Sequence, residues 1–249
     1  MYPVKFRLYH ALWQGLDFIF PPECVSCGKP GIRICPDCKS KIERLPEIIC
    51  PVCGEPQKRK GLCEYCKKTA PSSKAIRSYG YFRGPLRSAI HRVKYHQDVG
   101  LAEELCEILI EMFNTELKWK VDAVTAIPLS RERHMERGYN QSYLFAKPFA
   151  WAIRKPFIPS LVQRKRNTSS QVGLSRRERQ RNIRDAFLGH SIAANLRILV
   201  LDDVTTTGAT LMECARALQE KGAREVFCLT LAKTPCFSDP HIKINENLI

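Results

Sequence analysis

The chain is 249 residues long, with 40 Lys and Arg against 25 Asp and Glu, a formal charge of +15, and twelve cysteines. That length accommodates a core domain of about 150 residues plus a small one that hydrophobic burial alone does not hold together. No secretory signal peptide is expected from the layout, and no bilayer-spanning helix is expected because the one mixed apolar stretch, at the start, is too short and too interrupted.

That stretch, residues 1–20, places Phe6, Leu8, Leu12, Trp13, Leu16, Phe18, Ile19 and Phe20 among Lys5, Arg7, His10 and Asp17. A helix packed on the protein is the expected outcome, and contact with a membrane surface is the alternative. A cytoplasmic location follows from these readings, with any peripheral contact at the inner face of the membrane.

Residues 21–70 hold four cysteine pairs of identical spacing: Cys24 with Cys27, Cys35 with Cys38, Cys50 with Cys53, and Cys63 with Cys66. Two such pairs supply four thiolates to one tetrahedral metal, so the count implies two closed, structural zinc sites. Gly28 and Gly54 directly follow a pair and allow the tight turn that aims backbone N–H groups at sulfur. Disulfides are the competing reading, but Cys106, Cys214, Cys228 and Cys236 are dispersed and fit a reducing compartment. Sequential pairing closes shorter loops and is preferred, while cross-brace pairing is also geometrically open.

A boundary is expected near Thr69 to Ser73, with a larger domain over 71–236 and a tail over 237–249. Ala75 to Phe82 reads as a strand, Leu86, Ile90 and Val93 keep helical spacing, and Leu101, Leu105, Ile108 and Met112 mark a second helix. Val121 to Ile127 is another apolar strand, and its end meets Pro128, Leu129, Ser130 and Arg131. Arg131, Arg133 and Arg137 follow, and the planar guanidinium fork suits phosphate oxygens. A helical stretch opens at Arg137 to Gln141, with a kink or early stop expected near Lys147 because Pro148 interrupts it. Ser175 to Glu178 is a capping box that starts a basic helix. Residues Arg131 to Arg184 hold 14 Lys or Arg against 3 Glu, a local charge of +11. Such a field favours pyrophosphate, nucleotides or a nucleic-acid backbone.

The densest chemistry lies at Arg197 to Thr210. Ile198 to Leu201 is a continuous apolar run, as in a parallel strand covered on both faces. Asp202 and Asp203 stand at its carboxyl end, where open α/β sheets bind ligands. Thr205, Thr206, Thr207, Gly208, Ala209 and Thr210 then lead into a helix with Leu211, Cys214, Ala215 and Leu218 on one face and a stop at Gly222. A small-residue loop opening a helix offers unpaired N–H groups and the positive end of a dipole to a phosphate. Two adjacent carboxylates suit ribose hydroxyls or a Mg2+ ion.

Ile198 to Thr210 resembles the phosphoribosyl pyrophosphate (PRPP) motif of type I phosphoribosyltransferases, with Thr205 in a place that is mostly hydrophobic there. The chain from about Phe20 to Ala232 resembles the ComF family, competence-associated proteins that join a double zinc ribbon to a phosphoribosyltransferase-like domain. The resemblance rests on Phe20 to Cys24, the cysteine pairs, Tyr81 to Arg87, Val93 to Tyr95, Ile127 to Leu129, Glu136 to Gln141, Gln171 to Ser175 and Leu201 to Val204. It implies an α/β fold of the type I phosphoribosyltransferase kind, a mostly parallel sheet flanked by helices. Asp202 and Asp203 are then the catalytic acids. PRPP is held by residues 205 to 210, with pyrophosphate on Pro128, Leu129, Ser130, Arg131 and Arg137. In such enzymes the loop at Pro128 often contains a cis peptide, and a mobile hood at a place comparable to the Ser175 segment closes over PRPP; a nucleic-acid-binding face is the other reading of that segment. Purine-salvage relatives usually carry an Asp three residues after the second acid, and Thr206 stands there, which disfavours hypoxanthine or guanine as acceptor.

Two functions are therefore expected. One is Mg2+-dependent transfer of phosphoribose to an unidentified acceptor, in a protein serving DNA uptake. The other is a non-catalytic accessory that binds single-stranded DNA, works with uptake-machinery proteins and takes PRPP as effector. Tyr65, Tyr139 and Tyr143 are the aromatic side chains nearest the basic surface.

Overall fold

The computed structural model describes residues 3–8, 11, 21–96, 98–165 and 182–235. Most of the apolar N-terminal stretch, the Ser175 capping box with its basic helix, and the tail lie outside these residues. Helices α1 (Pro36–Ser40) and α2 (Glu64–Lys68) belong to the cysteine-rich part. Then follow β1 (Ala75–Tyr81), α3 (Gly84–Tyr95), α4 (Val99–Met112), β2 (Ala123–Ala126), α5 (Arg131–Arg137) and α6 (Gln141–Ala152). The chain ends with the short strands β3 (Val162–Arg164) and β4 (Phe187–Gly189), then β5 (Arg197–Thr205), α7 (Ala209–Gln219) and β6 (Glu225–Lys233).

Four strands form a parallel sheet in the order β1, β6, β5, β2. Alternation along the strands sends Leu199, Leu201, Phe227 and Leu229 to one face and Ile198, Val200, Val226 and Cys228 to the other. Both faces are covered, which is why these strands read as unbroken apolar runs. On the first face lie Leu86, Ile90 and Val93 of α3, Leu101 and Leu105 of α4, and Phe145 and Phe149 of α6. On the second lie Leu211, Cys214, Ala215 and Leu218 of α7. The strands and helices read from periodicity are present, with β2 shorter than the apolar run that announced it.

Pro148 does not stop its helix. The helix α6 runs through it to Ala152. A proline there removes one hydrogen bond and costs about 3 kcal/mol, but Phe145, Ala146, Phe149 and Ala150 are all buried around it, and several buried side chains at about 1.5–3 kcal/mol each outweigh that loss. Helix α5 is separate, closed by Gly138 in the left-handed region at φ 75°. The short antiparallel pair β3 and β4 was not legible as strands, being three residues each and flanked by basic sequence. The peptides of the described residues, those from Pro128 to Arg131 included, are trans.

The cysteine-rich part lies along the free edge of β1. Tyr81 N–H donates to the Glu43 carbonyl at 2.8 Å, and Ile76 N–H donates to the Val52 carbonyl at 2.6 Å. This occupies the exposed edge of a strand that would otherwise present unpaired donors and acceptors. The first four-cysteine group contributes Cys24, Cys35 and Cys38 to the core on the α3 face, and the second contributes Cys50, Cys53 and Cys66 to the core on the α7 face. The small part therefore straddles the sheet and has no separate interior.

Contact at this edge is close. A Cβ at Gly80 would sit 2.6 Å from the Glu43 carbonyl oxygen, a backbone atom. Gly80→Ala is expected to lower stability by about 1–3 kcal/mol, the range for forced overpacking; urea unfolding of the two proteins, with an unchanged midpoint counting against this junction, is the check.

Candidate functional site

The two cysteine groups are sequential in pairing: Cys24, Cys27, Cys35 and Cys38 come together, as do Cys50, Cys53, Cys63 and Cys66, with all sulfurs of a group within 4.8 Å of one another. Cys27 and Cys35 sulfurs are 3.6 Å apart and those of Cys53 and Cys63 are 3.5 Å apart. A tetrahedron of zinc–sulfur bonds has edges of about 3.8 Å, so the donor sets fit zinc. Backbone N–H groups of Cys35 and Cys63 point at the sulfurs of Cys24 and Cys50, at 3.4 and 3.5 Å. Burial pushes the Cys50 thiol up, but N–H groups of Cys63, Cys53 and Val52 outweigh it and bring it down to about 7. That eases the deprotonation a metal requires. Of the remaining cysteines, Cys106, Cys214 and Cys228 are buried and unbridged.

The second site opens where β2 stops. Pairing of β2 with β5 ends at Ala126 and Leu201, while β5 and β6 stay paired through Thr205 and Lys233. Asp202 and Asp203 therefore lie on strand that is covered by β6 on one side and open on the other. They border a cavity of about 420 Å³ lined also by Pro128, Leu129, Ser130, Arg133, Arg137 and the loop from Thr205 to Thr210. The residues expected to form the site thus converge on one space, except Arg131, which lines an adjoining cavity with His134, Tyr143, Arg164 and Lys165.

Each wall has a local cause. Gly208 sits at φ 78° ahead of α7, a backbone conformation open to glycine, so Thr206 to Ala209 can turn tightly into the helix. Ser130 is buried and its hydroxyl accepts from Arg133 N–H at 3.4 Å, capping α5. The Asn140 side chain bridges the Ile127 carbonyl at 3.0 Å and the Ser142 N–H at 3.0 Å, tying the start of α6 to the end of β2.

The two acids differ in environment. Asp203 is 5% exposed, and one of its oxygens accepts from the Gln141 amide at 2.8 Å and meets the Lys94 ammonium at 3.1 Å, while the other accepts from Val204 N–H at 2.6 Å. Asp202 is half-buried; one oxygen accepts from the Ser142 hydroxyl at 3.0 Å and the Asp203 N–H at 2.9 Å. Burial first, and the Asp203 charge second, push the Asp202 carboxyl up to about 7, against the opposing pull of Lys94, the Asp203 N–H and Ser142. Such a group stands ready to hold or release a proton near neutrality.

In the same cavity lining, Arg137 holds its guanidinium 5.1 Å from the centre of the Tyr95 ring. Its Nε and Nη1 are buried and hydrogen-bond nothing in the protein. Unpaired guanidinium N–H groups bordering a cavity are an anion site in waiting.

Lys94, Gln141 and Ser142 were not among the residues singled out for the site. Lys94 is one turn face of an ordinary amphipathic helix, and only the fold brings it to Asp203. Gln141 and Ser142 follow the Asn140 cap, a residue type that favours a helix start and that fixes where α6 begins. Tyr139 donates its hydroxyl to the Val93 carbonyl, Tyr65 is partly buried beside the second cysteine group, and Tyr143, packed edge-on against Phe157 with ring centres 5.4 Å apart, also lines the adjoining cavity.

These features define a class of protein: a double zinc ribbon joined to a parallel α/β domain whose acidic strand end and glycine-containing loop face one cavity. A family model described as a double zinc ribbon domain matches residues 15–67. The DNA utilization protein YhgH of Escherichia coli K12 is 31% identical over 203 residues, spanning 79% of this chain and 89% of that protein. The competence protein ComFC of Bacillus subtilis 168 is 29% identical over 213 residues, spanning 83% of this chain and 86% of that protein. Among solved structures, an adenine phosphoribosyltransferase from Thermoanaerobacter pseudethanolicus aligns with 56% of this chain and 84% of that one at 18% identity and a TM-score of 0.37. The chain belongs to the ComF family. No helix among the described residues is long and apolar enough to cross a membrane.

Two outcomes follow. Atomic emission should find two zinc ions per chain, and Cys50→Ser should lower this to about one with a marked fall in Tm, since a closed thiolate site loses most of its affinity with one ligand. Asp202 has a raised pKa in the fold, so the fold binds its proton more tightly than the unfolded chain and loses stability as pH rises from the ordinary carboxylate range through 7. Asp202→Asn should therefore raise Tm more at about pH 8 than at about pH 5, and melting curves showing the same gain at both would remove the assignment.

Proposed function

We propose that the cavity binds PRPP in a protein that serves the use or uptake of external DNA. The observation that carries this is the meeting, in one space, of two carboxylates, a threonine- and glycine-containing loop opening a helix, and a part-buried guanidinium whose Nε and Nη1 have no partner in the protein. In this reading the 5-phosphate lies on Thr206, Thr207, Gly208 and Thr210, with Thr205 and Ala209 shaping the loop. The ribose hydroxyls face Asp202 and Asp203. The pyrophosphate lies against Pro128, Leu129 and Ser130, with Arg133 and Arg137 donating to its oxygens and Arg131 contributing from the adjoining cavity.

Transfer would break the bond between ribose C1 and the pyrophosphate oxygen and form one from C1 to a nitrogen nucleophile. As the bond breaks, positive charge grows on the ribose and negative charge on the leaving group. Asp202, deprotonated, opposes the first, and Arg133 and Arg137 oppose the second. Asp203 already has Lys94, Gln141 and Val204 N–H as partners, so its part is to hold the site's shape and bias Asp202. When bound, Mg2+ supplies Lewis acidity to the pyrophosphate, and the Asp202 carboxylate is the protein oxygen suited to it. Cytoplasmic placement and residues 21–70 and 71–236 as the two working parts complete the reading.

A second reading has its own support. The adjoining cavity of about 670 Å³ is lined by Arg131, His134, Arg164, Lys165 and Tyr143, a basic and aromatic mix suited to a single-stranded nucleic acid. In this reading the protein is an accessory that binds single-stranded DNA, with PRPP as effector.

Calorimetric titration of the zinc-loaded protein with PRPP and Mg2+ is the test. Binding is expected, with a loss of about a hundredfold or more in the Asp202→Asn, Asp203→Asn double variant and about tenfold in Arg137→Ala; unchanged affinity in the double variant sinks the site. For DNA, the log of the association constant should fall steeply and linearly with the log of salt concentration, and a flat dependence would remove phosphate-backbone contact.

A further inference from the structure

The second cysteine group touches the loop from Thr206 to Gly208 through two separate sets of atoms. Glu55, two residues beyond Cys53, places its carboxylate 2.9 Å from the Lys233 ammonium at the end of β6. The same ammonium donates to the Thr206 carbonyl at 3.0 Å. Lys233 has only 3% of its side chain exposed and Glu55 11%, so this is an ion pair taken out of water. Such a pair holds position firmly, because either partner alone would be a buried unpaired charge.

Glu55 is itself placed by the metal-site turn. Its carbonyl accepts from Cys50 N–H at 2.7 Å, and Gly54 N–H donates to the Cys50 carbonyl at 3.0 Å. The other contact runs through β1. Val52 accepts from Ile76 N–H at 2.6 Å, a Cβ at Gly54 would lie 2.6 Å from the Ile76 carbonyl oxygen, and the Ile76 side chain reaches so close to Gly208 that a Cβ there would meet it at 3.2 Å.

We propose that the second zinc ribbon positions the phosphate loop, with Glu55 and Lys233 anchoring the Thr206 carbonyl and Ile76 bracing Gly208. The N–H and C=O of a trans peptide point in opposite directions. Tying the Thr206 carbonyl to the buried lysine therefore turns the Thr207 N–H away from it and fixes a donor that an anion needs. This explains why a small metal-stapled element straddles the sheet edge instead of standing apart: its turn is part of the loop's support. Loss of metal from this ribbon frees Glu55, and with it the loop. The inference rests on the reading of this loop as a phosphate site.

The test uses the full-length zinc-loaded protein, Lys233→Met, and Glu55→Leu with Lys233→Met, a double change that removes both charges and so spares the fold an unpaired one. Hydrogen exchange is followed over residues 204–211, and ribose 5-phosphate and inorganic pyrophosphate are titrated separately. Amides at Thr206 to Gly208 should exchange about tenfold faster or more in both variants, with zinc content and protection in β2 unchanged, and ribose 5-phosphate affinity should fall about tenfold. Pyrophosphate affinity should stay within about twofold, because its contacts lie on the other loop. Unchanged exchange in the loop overturns the proposal, and so does an equal rise throughout the chain, which would mean a merely structural pair. Should the double variant not fold, Glu55→Gln and Lys233→Gln decide by the same criteria. A wild type that binds no ribose 5-phosphate defeats the phosphate-site reading, while the exchange result still decides the anchor.

Discussion

The site exists because β5 and β6 stay hydrogen-bonded beyond the point where β2 leaves the sheet. From Ile198 to Leu201 the strand β5 is flanked on both sides and buried on both faces, and its side chains there are all apolar. From Asp202 onward one flank is missing, and charged groups can meet ligand and solvent. The same overhang carries Lys233 to the level of Thr206 and lets the chain after β2 curl back as the Pro128 loop. The acids, the loop from Thr205 to Thr210 and the arginines are thus brought together by the unequal lengths of three strands.

Around that opening, the two carboxylates are held unequally. Asp203 is surrounded by donors from three directions, whereas Asp202 is crowded by burial and by its neighbour's charge. Adjacent like charges in a poorly solvated place cannot both be comfortable, and the fold resolves this by neutralising one and leaving the other easily protonated. Arg137, which lines the same cavity, has the complementary arrangement, with Nε and Nη1 donors that the protein itself leaves unmet.

The zinc ribbons have a double part in this. They close the edge of β1, and they add their cysteines to the cores on both faces of the sheet. A segment of this size has too little interior of its own, and the thiolate-bound metals replace it. Their turns meet the sheet through the contacts of Val52, Gly54 and Glu55 with β1 and β6.

Much of this was legible in the linear chain, where the governing physics is local. Cysteine spacing specified two four-thiolate groups, because ligands separated by two residues can share a metal whatever surrounds them. The apolar run ending at Asp202, the glycine at position 208 and the helix spacing after it specified strand, turn and helix, since each depends on neighbours a few residues away. Pro148 misled for the opposite reason: its local penalty is real, but burial of Phe145 and Phe149 against distant elements outweighs it. The pairing of Lys94 with Asp203, the unmet donors of Arg137 and the anchoring of Thr206 by Glu55 and Lys233 join residues far apart in the chain, and neither composition nor periodicity records them. The chain's own order of residues settled which chemistries were present and which segments carried them. Their mutual distances, and so which carboxylate is neutralised and which loop is braced, came from the packing of the sheet, because charge interactions depend on separation in space and on burial, and both arise only when the elements assemble.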